Sequence, residues 1–424
     1  MCTRPLYLIR KCEHCDFLED SWQHFKLQKI PCGKCIECVK RRQNDIAVRI
    51  ATEAQNYNTM HFVTLTYKPE TIPLSCSLYM RDGDSLYLIQ KPRILPDCDK
   101  VKEWRLIMEN YDMFRSAPEK REGCFLDFQF PQCGFDTERY FYRVAFSLNR
   151  EDFKNWMKGC RIAYQRKFGC PLPDFKLAWC GEYGSRTARP HYHCLFLGLN
   201  DFQVHWMVDR WDKGFTLWKR CNTQSRDKYA VARYVSKYMS KESNFVATTL
   251  KMGLAQKPRF ALSRYMGYCP NLSRPYFFAF DLFGEYDPQT LILKSTRKKL
   301  DARQLGAITD AVSSRLRCFV PGCDYSLPIP RSWLYQIYYK KVKNDAKKTQ
   351  RFVPCRLFKI VQETLLSREL ANRERKFVQF ARSSGATSVS EALLWFNATS
   401  AADAAAREIA GRKSEVAFYS SDAF

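Results

Sequence analysis

Residues Cys180 to Gly198 read CGEYGSRTARPHYHCLFLG, and the alternation inside this stretch decides how the rest of the chain is built. His191 and His193 lie one residue apart and run into the apolar Leu195, Phe196 and Leu197, the pattern of a strand entering a core. Period-two alternation turns both imidazoles to the same side of that strand. Glu182 precedes them, with the turn-formers Gly184, Ser185 and Arg189-Pro190 in between, so a hairpin can fold its carboxylate back beside the imidazoles. Two nitrogens and one oxygen then form a site for a divalent cation.

A second stretch, Tyr234 to Lys241, reads YVSKYMSK. Four-residue spacing on a helix stacks the hydroxyls of Tyr234 and Tyr238 on one face, and Lys237 and Lys241 form a second such pair on an adjoining face. Each piece alone has an ordinary explanation. A His-X-His strand is commonly structural, and two tyrosines four apart commonly pack half-buried on an amphipathic helix. Their order, with a turn-borne carboxylate in a strongly basic chain, is what points to chemistry.

The totals agree. A chain of 424 residues with 46% hydrophobic content can bury a sizeable core, enough for two to three domains at roughly 150 residues each. Lys and Arg number 69 against 44 acidic residues, a formal charge of +25 with 15% aromatics, and the pI is 9.4. Such an excess favours a polyanionic partner, and aromatic rings favour nucleic acid, whose bases stack on them while phosphates pair with cations. There are 19 cysteines. The sequence carries no recognisable secretory leader and no apolar run long enough for a membrane span, so the cysteines are expected as reduced thiols or metal ligands.

Cys12-Glu-His-Cys15 and Cys32-Gly-Lys-Cys35 have the spacing of a structural zinc site, with His14 and Cys38 as spare ligands. Lys40-Arg41-Arg42 follow at once, a small basic surface that such a knuckle could present to DNA. Beyond it, the periodicity predicts a helix over 43–57, a strand over 61–67, and a long insertion over about 68–137 with a helix near 100–115. Then come a strand over 139–148, a helix over 150–168, strands over 175–182 and 190–199, a helix near 201–211, a strand near 215–220 and the tyrosine helix over 226–242. The expected architecture is α+β: a central antiparallel sheet of about five strands with packed helices. Domain divisions are expected as a Cys-rich zinc-type module and helix at 1–58, the sheet domain at 59–250, and a basic, mostly helical region at 251–424. In the last, Ser388-X-X-Glu391 reads as a capping box.

A tyrosine hydroxyl, with a pKa of about 10, is a poor nucleophile at neutral pH. A metal on a phosphodiester oxygen polarises phosphorus and offsets the charge that develops, so attack yields a 5′-phosphotyrosine and a free 3′-OH. The retained ester lets the 3′-OH attack it later and reseal the strand. A second tyrosine one turn away allows a second cleavage before the first product leaves. Lys237 or Lys241 would lower the phenol pKa or neutralise phosphate; contact with the DNA backbone is the equal alternative.

HFVTLTY at 61–67, then Glu182 with His191-Tyr192-His193, then Tyr234-X-X-X-Tyr238 resemble in order the three motifs of HUH endonucleases of the two-tyrosine, rolling-circle type. PCGKCIEC, FVTLTY, GEYG, RPHYH and RYVSKYMSK resemble more closely the replication initiators of gokushovirus-like microviruses, over about residues 30–245. The resemblance implies the tyrosine helix packed over the histidine strand, Glu182 as third ligand, Mg2+ or Mn2+ as cofactor, and nicking of single-stranded DNA at the origin of a supercoiled phage genome in the bacterial host cytoplasm. No GxxxxGK[ST] motif occurs, so a host helicase and polymerase are the expected partners. Two other readings compete: the two-His, one-carboxylate triad of non-haem iron oxygenases, and a non-catalytic, zinc-containing nucleic-acid-binding protein.

Overall fold

The computed structural model describes residues 6–11, 25–33, 35–110, 125–129, 139–184, 187–238, 247–267, 287, 289–313, 317–318, 320, 322–325, 327–333, 339–344 and 349–420. Up to residue 262 the described elements run β1 (Leu6–Lys11), β2 (Phe25–Ile30), α1 (Ile36–Ala54), β3 (Met60–Thr66), β4 (Leu74–Asp82), β5 (Ser85–Ile94), α2 (Asp99–Asn110), β6 (Leu126–Phe128), β7 (Tyr140–Phe146), α3 (Arg150–Phe168), β8 (Lys176–Tyr183), β9 (Pro190–Leu197), α4 (Asp201–Val208), β10 (Thr216–Arg220), α5 (Ser225–Tyr238) and β11 (Phe260–Leu262). The chain forms two compact units, one of Ile46–Tyr268 with Val320–Tyr325, the other of Met1–Asp45, Cys269–Phe319 and Ser326–Phe424.

The first unit holds a five-stranded antiparallel sheet in the order β10-β3-β9-β8-β11. The expected class, α+β with an antiparallel sheet, is therefore present, but the membership differs. The strand expected over 139–148 does not join this sheet. As β7 it pairs with β4 in a separate sheet ordered β5-β4-β7-β6. Its partner is hidden in the insertion because Leu74 to Ser77 are all buried, and a strand covered on both faces shows no alternation to read. The fifth strand of the main sheet is instead the short β11.

One face of the main sheet is packing. Register sets Leu65 opposite Tyr192 and Val63 opposite Cys194, and α3 covers them with Phe153, Trp156, Met157, Cys160 and Tyr164, all buried. Phe153 stacks on Trp179 at 4.4 Å and tilts against Tyr192 at 5.2 Å. Trp156 Nε1 donates to the Met207 carbonyl at 3.0 Å, joining α3 to α4. The ends of α3 are set by sequence: the Asn149 side chain accepts from Glu151 N, and Gly169, at φ 68°, closes the helix by donating to Gln165 O.

The opposite face carries the candidate ligands. Phe62, Thr64 and Thr66 on β3 align with Leu195, His193 and His191 on β9, and Cys180 and Glu182 on β8 align with His193 and His191. At the outer edge, β10 approaches β3 closely because residue 214 is glycine. A Cβ there would collide with the Thr66 carbonyl oxygen and the backbone of Tyr67 and Lys68.

In the second unit β1 and β2 form an antiparallel hairpin. Helix α1 begins at Ile36, seven residues ahead of the expected start. Lys40 and Arg41 are exposed within it and Arg42 donates to the Gly33 carbonyl at 2.9 Å, so the basic triplet lies in the opening turns of this helix. The basic stretch from Lys340 to Arg351 lies mostly in an antiparallel hairpin, Tyr339–Asn344 with Thr349–Pro354. Helices Arg356–Ser383 and Val389–Ser420 follow. Ser388 caps the latter by accepting from Glu391 N, while the Glu391 carboxylate accepts from Thr387 N and its hydroxyl. Among the described residues no helix is long and apolar enough to cross a membrane.

Candidate active site

The β8–β9 hairpin sets Glu182 directly opposite His191, and alternation places His193 on the same face. His193 Nε2 lies 3.3 Å and His191 Nε2 3.8 Å from the same carboxylate oxygen, Glu182 Oε2. The rings are T-shaped at 4.9 Å, so they converge rather than stack. All three ligand atoms lie within 4.8 Å of one another.

Neighbours orient both imidazoles. His191 Nδ1 lies 3.2 Å from the Arg189 carbonyl, which can only accept, so Nδ1 donates there and Nε2 is the nitrogen turned to Glu182. The same carbonyl accepts from Gly184 N across the turn, and the Arg189 guanidinium pairs with Glu109 of α2 at 2.9 Å. His193 Nδ1 meets the Thr64 hydroxyl at 3.1 Å. Its Nε2 is buried without a hydrogen-bond partner among the described residues. Glu182 is 5% and His193 7% exposed.

A buried carboxylate beside two inward-facing imidazole nitrogens suits a divalent cation. Ligand bonds of about 2.0–2.2 Å would draw the three donors together. The mixed nitrogen and oxygen set is a better match to Mn2+ than to Mg2+, which prefers oxygen and water.

Helix α5 brings the tyrosines to the same place. The Tyr238 ring lies 4.2 Å from that of His193, and its hydroxyl is 2.5 Å from that of Tyr234. Phe62 is the floor beneath all three, stacked on His193 at 5.5 Å and edge-on to Tyr234 at 5.7 Å. Burial pushes the Tyr238 phenol well above its usual range, with the Tyr234 hydroxyl and the Glu182 charge adding to the shift. The protonated phenol is therefore the resting form. Lys237 sits 5.8 Å from the Tyr234 ring, and burial, then the Arg233 charge, hold its ammonium below the usual lysine value.

The sequence-derived set is thus largely assembled: Glu182, His191, His193, Tyr234, Tyr238 and Lys237 share one site. Lys241 lies outside the described residues. So do Cys12, Cys15 and His14, whereas Cys32, Cys35 and Cys38 converge with their sulfurs within 4.8 Å of one another, and Cys35 N donates to Cys32 Sγ at 3.2 Å. Tyr192, between the histidines, faces the packing side. Its hydroxyl donates to Asn149 O at 2.7 Å, which explains how a polar residue is accommodated there. Sequence reasoning gave Thr64 and Phe62 no role. The signal was present in HFVTLTY, where Phe62, Thr64 and Thr66 alternate against Val63, Leu65 and Tyr67.

Residues 139–243 match the sequence profile of a family described as Replication-associated protein ORF2. This span, a minor part of the chain, runs from β7 through α5 and carries Glu182, His191, His193, Tyr234, Lys237 and Tyr238, but not Phe62 and Thr64 of β3. The match supports a family of rolling-circle replication initiators, and with it a role in replication and contact with nucleic acid. No curated protein and no solved structure matches the chain.

Proposed function

We propose that this protein is an HUH-type, two-tyrosine replication initiator of the microvirus kind, which nicks and reseals single-stranded DNA at a phage origin in the host cytoplasm. The observation that carries the reading is the 4.2 Å contact between Tyr238 and His193, which sets a phenol beside a ready-made ligand cluster. Glu182, His191 and His193 would hold the ion, Mn2+ or Mg2+. When bound, it supplies charge to the scissile phosphate and polarises phosphorus.

One tyrosine oxygen attacks phosphorus, the bond to the 3′ oxygen breaks, and the phenol proton is passed on while the 3′ oxygen takes one up. The products are a 5′-phosphotyrosine and a 3′-OH primer. Lys237, 5.8 Å from the Tyr234 ring and easier to deprotonate than an ordinary lysine, would receive the phenol proton or pair with the phosphate. The second tyrosine is already within hydrogen-bond reach of the first, which suits a second cleavage before the strand is rejoined. Helicase and polymerase functions come from the host on this reading.

The test is incubation with supercoiled plasmid bearing the cognate phage origin in Mn2+, mapping the nick and the tyrosine bonded to its 5′ end by peptide mass spectrometry. Tyr234→Phe with Tyr238→Phe should abolish the adduct and retain DNA binding; a double variant that still nicks refutes the assignment. Oxygen uptake with a keto acid in place of an adduct would favour the oxygenase triad. A second reading keeps one specific observation: the convergent thiols Cys32, Cys35 and Cys38 are a soft donor set suited to structural zinc. If zinc were the only functional metal, the double tyrosine variant would remain fully active in nucleic-acid binding and in the host.

A further inference from the structure

The sheet face that bears the ligand cluster continues to an exposed edge. In register, Leu217 of β10 stands opposite Thr64 and Lys219 opposite Phe62, while Phe215 accepts from Thr66 N. Thr64 and Thr66 are in turn opposite His193 and His191. Phe215, Leu217 and Lys219 therefore lie on the ligand-bearing face, Phe215 and Leu217 in the rows of His191 and His193, and Lys219 one row further along, in that of Leu195. Strands spaced about 4.8 Å apart put them roughly 10 Å from the histidines.

Phe215 is 66% and Leu217 71% exposed, and Lys219 on the same side of the strand is exposed too, whereas Arg220 turns to the other side and pairs with Asp201. An apolar row on an edge strand is an aggregation hazard that proteins usually blunt, so its presence calls for an occupant. The other side of the same strand is unsuited to a polyanion: Trp218 there lines a groove with Asp201 and Asp209.

We propose that Phe215, Leu217 and Lys219 form the surface on which bases next to the scissile phosphate stack, with Lys219 pairing to the backbone. The occupant is a single DNA strand rather than a protein strand, because the row is continuous with the phosphate-handling site, ends in the cation Lys219, and belongs to a chain of charge +25. This rests on the nuclease reading for the identity of the neighbouring phosphate. Stacking accounts for affinity without sequence preference.

The full-length protein and a fluorescein-labelled oligothymidylate, with EDTA to silence cleavage, provide the test. Phe215→Ala with Leu217→Ala should weaken binding about ten-fold or more, with the salt dependence unchanged. Phe215→Trp should restore it, which a merely misfolded variant could not mimic. Lys219→Gln should make the log–log salt slope shallower by about 0.7. An oligonucleotide carrying 5-iodouracil should crosslink to Phe215. Affinity of the double alanine variant within about two-fold of wild type overturns the proposal, as does a shift from dimer to monomer at unchanged affinity, which would mark the edge as a self-association surface. The two readings fail separately. Phe215-dependent binding with no adduct in Mn2+ sinks the nuclease and keeps the stacking surface, whereas an adduct formed with Phe215 dispensable sinks the surface alone.

Discussion

Thr64 shows how much rests on one hydroxyl. It fixes the ring of His193 through Nδ1 at 3.1 Å, and partners of metal-ligating histidines typically contribute ten- to hundred-fold in metal affinity. Thr64→Val keeps shape and β-branching, so it should raise the Mn2+ concentration for half-maximal adduct formation by about ten-fold while leaving the denaturant midpoint nearly unchanged. The cysteines give a second prediction at this scale. Burial pushes the Cys160 thiol up to about 12 and those of Cys180 and Cys194 also upward. Only the thiolate is alkylated, and a raised pKa keeps the proton on. Iodoacetamide at pH 8 should leave these three unlabelled in the folded protein while modifying the exposed Cys98 and Cys170. The ligands and tyrosines were legible in sequence because their spacing is local to one hairpin and one helix. Thr64 was not, because its role exists only once β3 lies against β9.

At the scale of elements, two contacts hold the site's frame. The buried hydroxyl of Tyr183 accepts from Leu148 N at 2.8 Å and donates to Gln256 O at 2.7 Å, tying β8 to the entry of α3. Tyr183→Phe strands an amide and a carbonyl and should cost about 1–3 kcal/mol, read as a lower urea midpoint with adduct chemistry retained at low temperature. Gly214→Ala forces a methyl against the Thr66 carbonyl and should displace β10, costing at least about 1–3 kcal/mol. Strong periodicity made α3, β8, β9 and α5 readable. The hairpin of β4 and β5 was not, since burial on both sides erased alternation in β4. The basic hairpin after Tyr339 was not, since its cations look the same on a helix or a strand until a partner strand is known.

For the molecule as a whole, charge and metal dependence should separate. An excess of 25 cations predicts single-strand affinity that falls steeply with salt, by about 0.7 log units per log unit of salt for each phosphate neutralised. A slope near zero in a titration would rule out the electrostatic contribution. EDTA should abolish cleavage without altering the far-UV circular dichroism spectrum, and Mn2+ should restore it, because the main hydrophobic cluster lies on the other side of the sheet from the ligand cluster.

That two-sided sheet has a consequence for how such a protein can diversify. Residues facing α3 answer to the folding equilibrium, and Phe62 and Thr64 to the ligand cluster they support, whereas the exposed Phe215 and Leu217 are bound by neither. A lineage can therefore trade side chains along that outer strand with no renegotiation of the interior behind it.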